Sequence, residues 1–235
     1  MWKWIPILIL CIVSGCAAKR PIIFRDPSYS DYSVLKNRCA FLLWDSINIK
    51  SMVQDFISAF DGNPASGEAF IRSFLVDCLT GKEEMYDWQN GKYRRLNFSS
   101  LDSIRTDLTL SQDAYGIATL TAASRESLSA KLASARVDYL IVIFGMTVTR
   151  GATASAMPML GKQNFPGKGM TLVPGGAEQN FATMSAQVFV LRTATMGVVW
   201  NGFISGKWDI VNNFTRNTAK GVTKEFARDL YSAIK

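Results

Sequence analysis

Histidine is absent from all 235 residues. Its absence removes Ser–His and Cys–His nucleophile pairs, imidazole metal sites and the commonest general base. There is no phosphate-cradling glycine motif of the P-loop kind and no Cys-x-x-Cys pair. No apolar run reaches the roughly 20 residues that a helix needs to cross a hydrocarbon core. Basic clusters are scarce as well: past Lys19-Arg20 the only basic doublet is Arg94-Arg95, which excludes a nucleic-acid footprint of clustered cations among aromatics. The carboxylates Glu83 and Glu84, or Asp102 and Asp107, are the remaining candidates for acid–base work. Scattered on polar segments, they read as solvated surface. The expectation is a non-enzymatic chain with no cofactor and no metal.

What is present begins at the N-terminus. Lys3 gives a positive flank, Trp4 to Val13 is a ten-residue apolar run, and Ser14 and Gly15 are small. This is the layout of a secretory signal over residues 1–15. Val13-Ser14-Gly15-Cys16 resembles the bacterial lipobox, which implies cleavage before Cys16 and acyl chains on its sulfur. Two or more such chains anchor a protein stably. By analogy with lipoprotein sorting, Ala17 in place of aspartate after Cys16 points to the periplasmic face of the outer membrane.

Residues 16–36 hold Pro21 and Pro27 without any period and read as a tether, reaching at most about 70 Å when fully stretched. Without the signal, 25 Lys and Arg face 19 Asp and Glu, a surplus spread along the chain. Cys11 falls in the signal and Cys16 takes the lipid, which leaves Cys39 and Cys78. An oxidising compartment permits a disulfide between them, whose loop closure would contribute roughly 4 kcal/mol. The alternative is two buried free thiols.

Residues 37–235 read as a single folded domain. Cys39 to Trp44 suits a buried strand. Ile49, Met52, Val53, Phe56 and Phe60 recur at helical spacing up to Asp61-Gly62. Asn63-Pro64 then starts a second helix that Gly81 ends. Tyr93 to Phe98 is a weak strand, and Ser100 to Thr121 is either helical or irregular. A helix marked by Leu128, Leu132 and Ala135 runs into Tyr139 to Thr149, the strongest strand for its β-branched and aromatic content. Strands Met184 to Leu191 and Val198 to Lys207 form a hairpin, and a last helix from about Thr215 carries Val222, Phe226, Leu230 and Ile234 on one face. Trp200 is expected in the core, with Phe203 beside it.

Between the strong strand and the hairpin lie residues 151–181, with six glycines and three prolines. A connection of that length without structure of its own is unusual in a compact domain. Its apolar residues Met157, Met159, Leu160, Phe165, Met170 and Leu172 are the candidate partner contacts, since methionine suits yielding binding surfaces. The bland alternative is an insertion tolerated because loop closure costs grow slowly with length.

The approach to the strong strand, Ala135-Arg136-Val137-Asp138-Tyr139-Leu140-Ile141-Val142, resembles that of the curli secretion-channel (CsgG-like) lipoproteins. It is similar also to the N-terminal domain of the TolB translocation protein and to lipoprotein activators of peptidoglycan synthases. Gly197, Val199, Trp200 and Gly202 match the hairpin of these families, while Arg192, Ala194 and Met196 depart from its acidic turn. The resemblance covers about 38–45 and 123–235 and implies an α/β (α+β) domain, a mixed sheet with flanking helices. The expected function is that of a component or accessory of an envelope machine for secretion, transport or cell-wall assembly. Its expected partners are the membrane and other envelope proteins, with self-association open. The alternative is an oligomeric pore-forming subunit, against which Pro158, Pro166 and Pro174 argue. An envelope enzyme comes third.

Overall fold

The computed structural model describes residues 22–30, 33–50, 58–87, 91–101, 109–112, 118–154, 178–210 and 214–234. In chain order these form β1 (Ile22–Arg25), α1 (Ser33–Lys36), β2 (Cys39–Leu43), β3 (Asn48–Lys50), α2 (Pro64–Leu79), β4 (Met85–Asp87), β5 (Lys92–Arg94), β6 (Ser99–Ser100), β7 (Leu110–Gln112), β8 (Ala118–Leu120), α3 (Ala122–Ala135), β9 (Tyr139–Ala154), β10 (Glu178–Arg192), β11 (Gly197–Ile210) and α4 (Arg216–Ile234). Seven strands make one mixed sheet in the order β1-β11-β10-β9-β2-β6, with β3 continuing along β9 beyond β2. The fold is the expected mixed α/β class.

Local chemistry sets the helix ends. The Asn63 side chain accepts a hydrogen bond from the Ala65 N–H at 3.0 Å, and Pro64 opens the first turn, where its missing N–H costs nothing. At the other end Gly81 has φ +81°, its N–H bonds back to the Cys78 carbonyl, and the Lys82 N–H bonds to that of Asp77. This is the Schellman closure. Helix α3 closes in the same way, with Arg136 at φ +53° in the left-handed position and Val137 bonded back to Leu132.

The sheet carries two cores. One face packs Phe41, Ile141, Val188, Val190 and Trp200 against α2 and α4, and the other packs Leu42, Leu140, Val142 and Phe189 against Leu128 and Leu132 of α3. Helix α4 lies very close to β11, because a Cβ on Gly206 would come within 2.1 Å of the Phe226 backbone nitrogen.

Five expectations are corrected. The tether does not extend to residue 36, because Ile22–Arg25 pair with β11 and Tyr29 and Val34 lie in the core. Within 100–121, expected to be helical or irregular, Leu110–Gln112 and Ala118–Leu120 pair as a small antiparallel hairpin. Ile49 belongs to β3, paired in parallel with Val148, and is not on a helix. Of that expected helix only Ser58 and Ala59 are described as helical, and 51–57 lie outside the described residues. Phe203 is 47% exposed, because it points away from the face that Trp200 and Ile204 share. The long connection is shorter than 151–181, since 151–154 and 178–181 are paired strand.

Candidate functional site

The residues singled out from sequence fall in different places. Cys16 and the contact candidates Met157, Met159, Leu160, Phe165, Met170 and Leu172 lie outside the described residues, as do Asp102 and Asp107. Cys39 and Cys78 are buried free thiols, so the disulfide alternative is set aside. The Cys39 sulfur instead donates to the Val34 carbonyl. Burial pushes both thiols up to about 12, with Asp138 adding to the effect at Cys39 and Lys224 opposing it at Cys78. A thiol held this far from ionisation is not a nucleophile at neutral pH.

The carboxylates are held by structural partners. Glu84 pairs with Arg95 and Glu83 with Lys224, each at 2.9 Å on the surface. Burial raises Glu225, with Arg228 beside it pulling the other way. Among the described residues, no group of acidic and cysteine side chains is placed to hold a metal ion. Asp138, the acidic residue of the Ala135–Val142 motif, binds backbone. Its carboxylate accepts from the Arg38 N–H at 3.0 Å, its N–H donates to the Arg38 carbonyl, and its carbonyl accepts from Thr193. It ties the starts of β2 and β9 to the β10–β11 turn.

Arg94 and Arg95 help to line a groove of about 490 Å³ with Lys36, Asn37, Asn97 and Tyr231. Arg94 lies over the Tyr231 ring at 5.5 Å and donates to its hydroxyl. Tyr231 sits in the last turn of α4, where unpaired carbonyls leave partial negative charge. A cation near such an end is favourable to the helix.

What remains is the long antiparallel half of the sheet. β9, β10 and β11 have 16, 15 and 14 residues, and β11 alone is about 45 Å long at the usual rise. The 19-residue helix α4 over it spans only about 28 Å. On the opposite face α3 covers Val142 and Phe189, while Phe203, Ser205, Lys207 and Asp209 of β11 are exposed. A bulge at Gly145, whose N–H donates to the Asp45 carboxylate at 2.7 Å, carries β9 past the end of β2. Beyond it Thr147 and Ser185 bond across the strands through their hydroxyls at 2.8 Å. The register continues until Ala154 stands opposite Glu178, so the two ends of the 155–177 segment meet at the tip of a hairpin.

The three long strands form a ribbon with Phe203, Ser205, Lys207 and Asp209 exposed on one face, and its described end is the pair Ala154 and Glu178. No protein-family model matches the chain, and no curated protein matches it.

Proposed function

We propose that this chain is a lipid-anchored, non-enzymatic envelope protein that works by binding. It is a component or accessory of a machine for secretion, transport or cell-wall assembly on the periplasmic face of the outer membrane. One observation carries the reading: the β9–β10 hairpin stays paired to Ala154 and Glu178, so the residues that flank the 155–177 segment are held side by side at the end of a long ribbon. A total lack of histidine and the inert thiols of Cys39 and Cys78 support binding over catalysis. The anchor rests on Val13 to Cys16, and among the described residues no helix is long and apolar enough to cross a membrane.

Mass spectrometry of the mature N-terminus is expected to find an acylated Cys16. Cleavage elsewhere, or an unmodified cysteine, removes the anchor. Co-purification of the tagged full-length chain from its native envelope names the partner. If nothing accompanies it above background, the accessory role fails.

The paired length of the hairpin also supports a second reading, a subunit of an oligomeric pore, since a membrane strand needs only about 9–11 residues. Conductance across planar bilayers by the purified lipoprotein would decide for the pore.

A further inference from the structure

Among the described residues, strand β11 is paired on its outer edge only at its start. The short β1 pairs with it at Trp200, Asn201 and Gly202, and no described strand pairs with that edge from Phe203 to Ile210. The small hairpin of β7 and β8 comes near β11 without pairing to it. An edge of this kind offers its free N–H and C=O groups to another strand. Two of the exposed large apolar side chains of the described chain stand on it, Phe203 and Trp208, the latter 43% exposed although one side of its ring lies against Gly221.

We propose that this edge binds a second copy of the same chain, strand to strand and antiparallel, about a two-fold axis through Trp208. Charge selects both the partner and the register. Lys207 and Asp209 are exposed, two residues apart, and therefore on the same face of the strand. Antiparallel pairing about Trp208 sets Lys207 opposite Asp209 of the second copy and Asp209 opposite its Lys207. It also brings the two Trp208 rings together on the other face. Pairing about Lys207 or about Asp209 would oppose like charges. Pairing about a point between residues would join unlike faces of the two sheets. Only the Trp208 axis keeps the faces continuous and makes two opposite-charge pairs.

Charges on an edge ordinarily keep it single. Here the two signs stand at positions i and i+2 and make the edge complementary to itself. The paired stretch from Gly206 to Ile210 buries less than the roughly 1,200 Å² of a stable interface. Association is therefore weak in free solution and stronger where both copies share a membrane and their effective concentration rises. That last clause rests on the proposed anchor; the edge itself does not.

The test is a cysteine at the axis in the full-length chain. Trp208→Cys places two thiols directly opposite one another, within the reach of a disulfide, and a cross-linked dimer is expected on a non-reducing gel of the native envelope. With Trp208→Cys kept throughout, Lys207→Asp alone or Asp209→Lys alone is expected to lower the dimer fraction about tenfold, because each turns two attractions into two repulsions. The fraction is expected to return when the two changes share one chain. It also returns when the two single variants are expressed together, since each then meets the opposite charge.

Sedimentation of the purified chain with Trp208 retained reads the same four charge states without the cysteine. Cross-linking indifferent to charge overturns the proposal. So does a monomer by sedimentation at about 1 mM with no cross-link in the envelope, the outcome expected if another segment of the chain already covers the edge. Mass spectrometry of Cys16 in the same samples separates a failed anchor from a failed edge.

Discussion

At the residue scale, Trp200 is the largest fully buried side chain, 1% exposed in the core between the sheet and α4. Removing it leaves a cavity that its neighbours fill only in part, so Trp200→Ala is expected to cost about 3–5 kcal/mol. Among the described residues the indole N–H finds no hydrogen-bond partner, and an unsatisfied buried donor itself costs about 1–3 kcal/mol. Trp200→Phe, which keeps an aromatic ring and removes that donor, is therefore expected to lose much less, within about 1.5 kcal/mol. Urea midpoints of the two variants check the contrast; equal losses would mean that the N–H is satisfied.

The buried cysteines give a pH dependence at the same scale. Cys39 and Cys78 each keep their proton up to about 12 in the folded chain, against an ordinary value of 9.0. The contribution of each thiol to stability is complete below pH 9 and is lost as pH rises towards 12, because the unfolded chain releases protons that the folded one retains. Two such groups together steepen the fall of stability with rising pH within that window. Stability measured by urea unfolding between pH 8 and 11 is expected to fall, and to fall less steeply in Cys39→Ala and Cys78→Ala chains. Neither thiol is expected to react with a thiol reagent until the protein unfolds.

At the scale of elements, the contact between β11 and α4 depends on Gly206. Its Cβ position lies 2.1 Å from the Phe226 nitrogen and 2.6 Å from the Glu225 carbonyl carbon, both backbone atoms that cannot swing aside. Gly206→Ala is expected to cost about 1–3 kcal/mol by pushing the helix off the sheet, read as a lower urea midpoint. The same substitution at Gly197, whose Cβ would meet only a hydroxyl at 3.3 Å, is the milder control.

Elements of this kind were legible where local chemistry decides them. Asn63-Pro64 and Gly81 bracket α2, and the β-branched run from Tyr139 marks β9, as sequence alone led one to expect. The misreadings come from pairing over long separations. Ile49 fits a helical period with Phe56 and Phe60, yet it lies 99 positions from its strand partner Val148, and nothing local announces that contact. Gly151, Ala152 and Ala154 have little strand preference and are held in β9 by the register with 178–181. Phe203 was open to a better reading, because period two already sets it opposite Trp200 and Ile204. Of the candidate site, the methionine-rich segment was visible in composition. The support beneath it and the free edge of β11 were not, since both are properties of how three distant strands align.

At the scale of the whole molecule, the question is whether the 155–177 segment does anything that the fold needs. Its ends, Ala154 and Glu178, already face each other across a ladder, so the hairpin gains little from the 23 residues between them. Replacing them with a two-residue Asn-Gly turn suits this geometry. It also shortens the closed loop by roughly tenfold, a change in closure entropy worth about 2 kcal/mol in favour of folding. The shortened chain is therefore expected to unfold at an equal or higher urea concentration than the parent, with the same circular dichroism in its strand and helix bands.

If the segment is the partner contact, the same chain is expected to lose the proteins that accompany the tagged parent from the envelope, while Cys16 remains acylated. Loss of folding would mean that 155–177 packs on the sheet as part of its core. Retention of every partner would move the binding surface from the tip to the open face at Phe203, Ser205 and Lys207. A Ser205→Lys and Phe203→Asp chain, altered only at exposed positions, tests that face without touching the tip. The two variants together separate a protein that binds through the end of its ribbon from one that binds along its side.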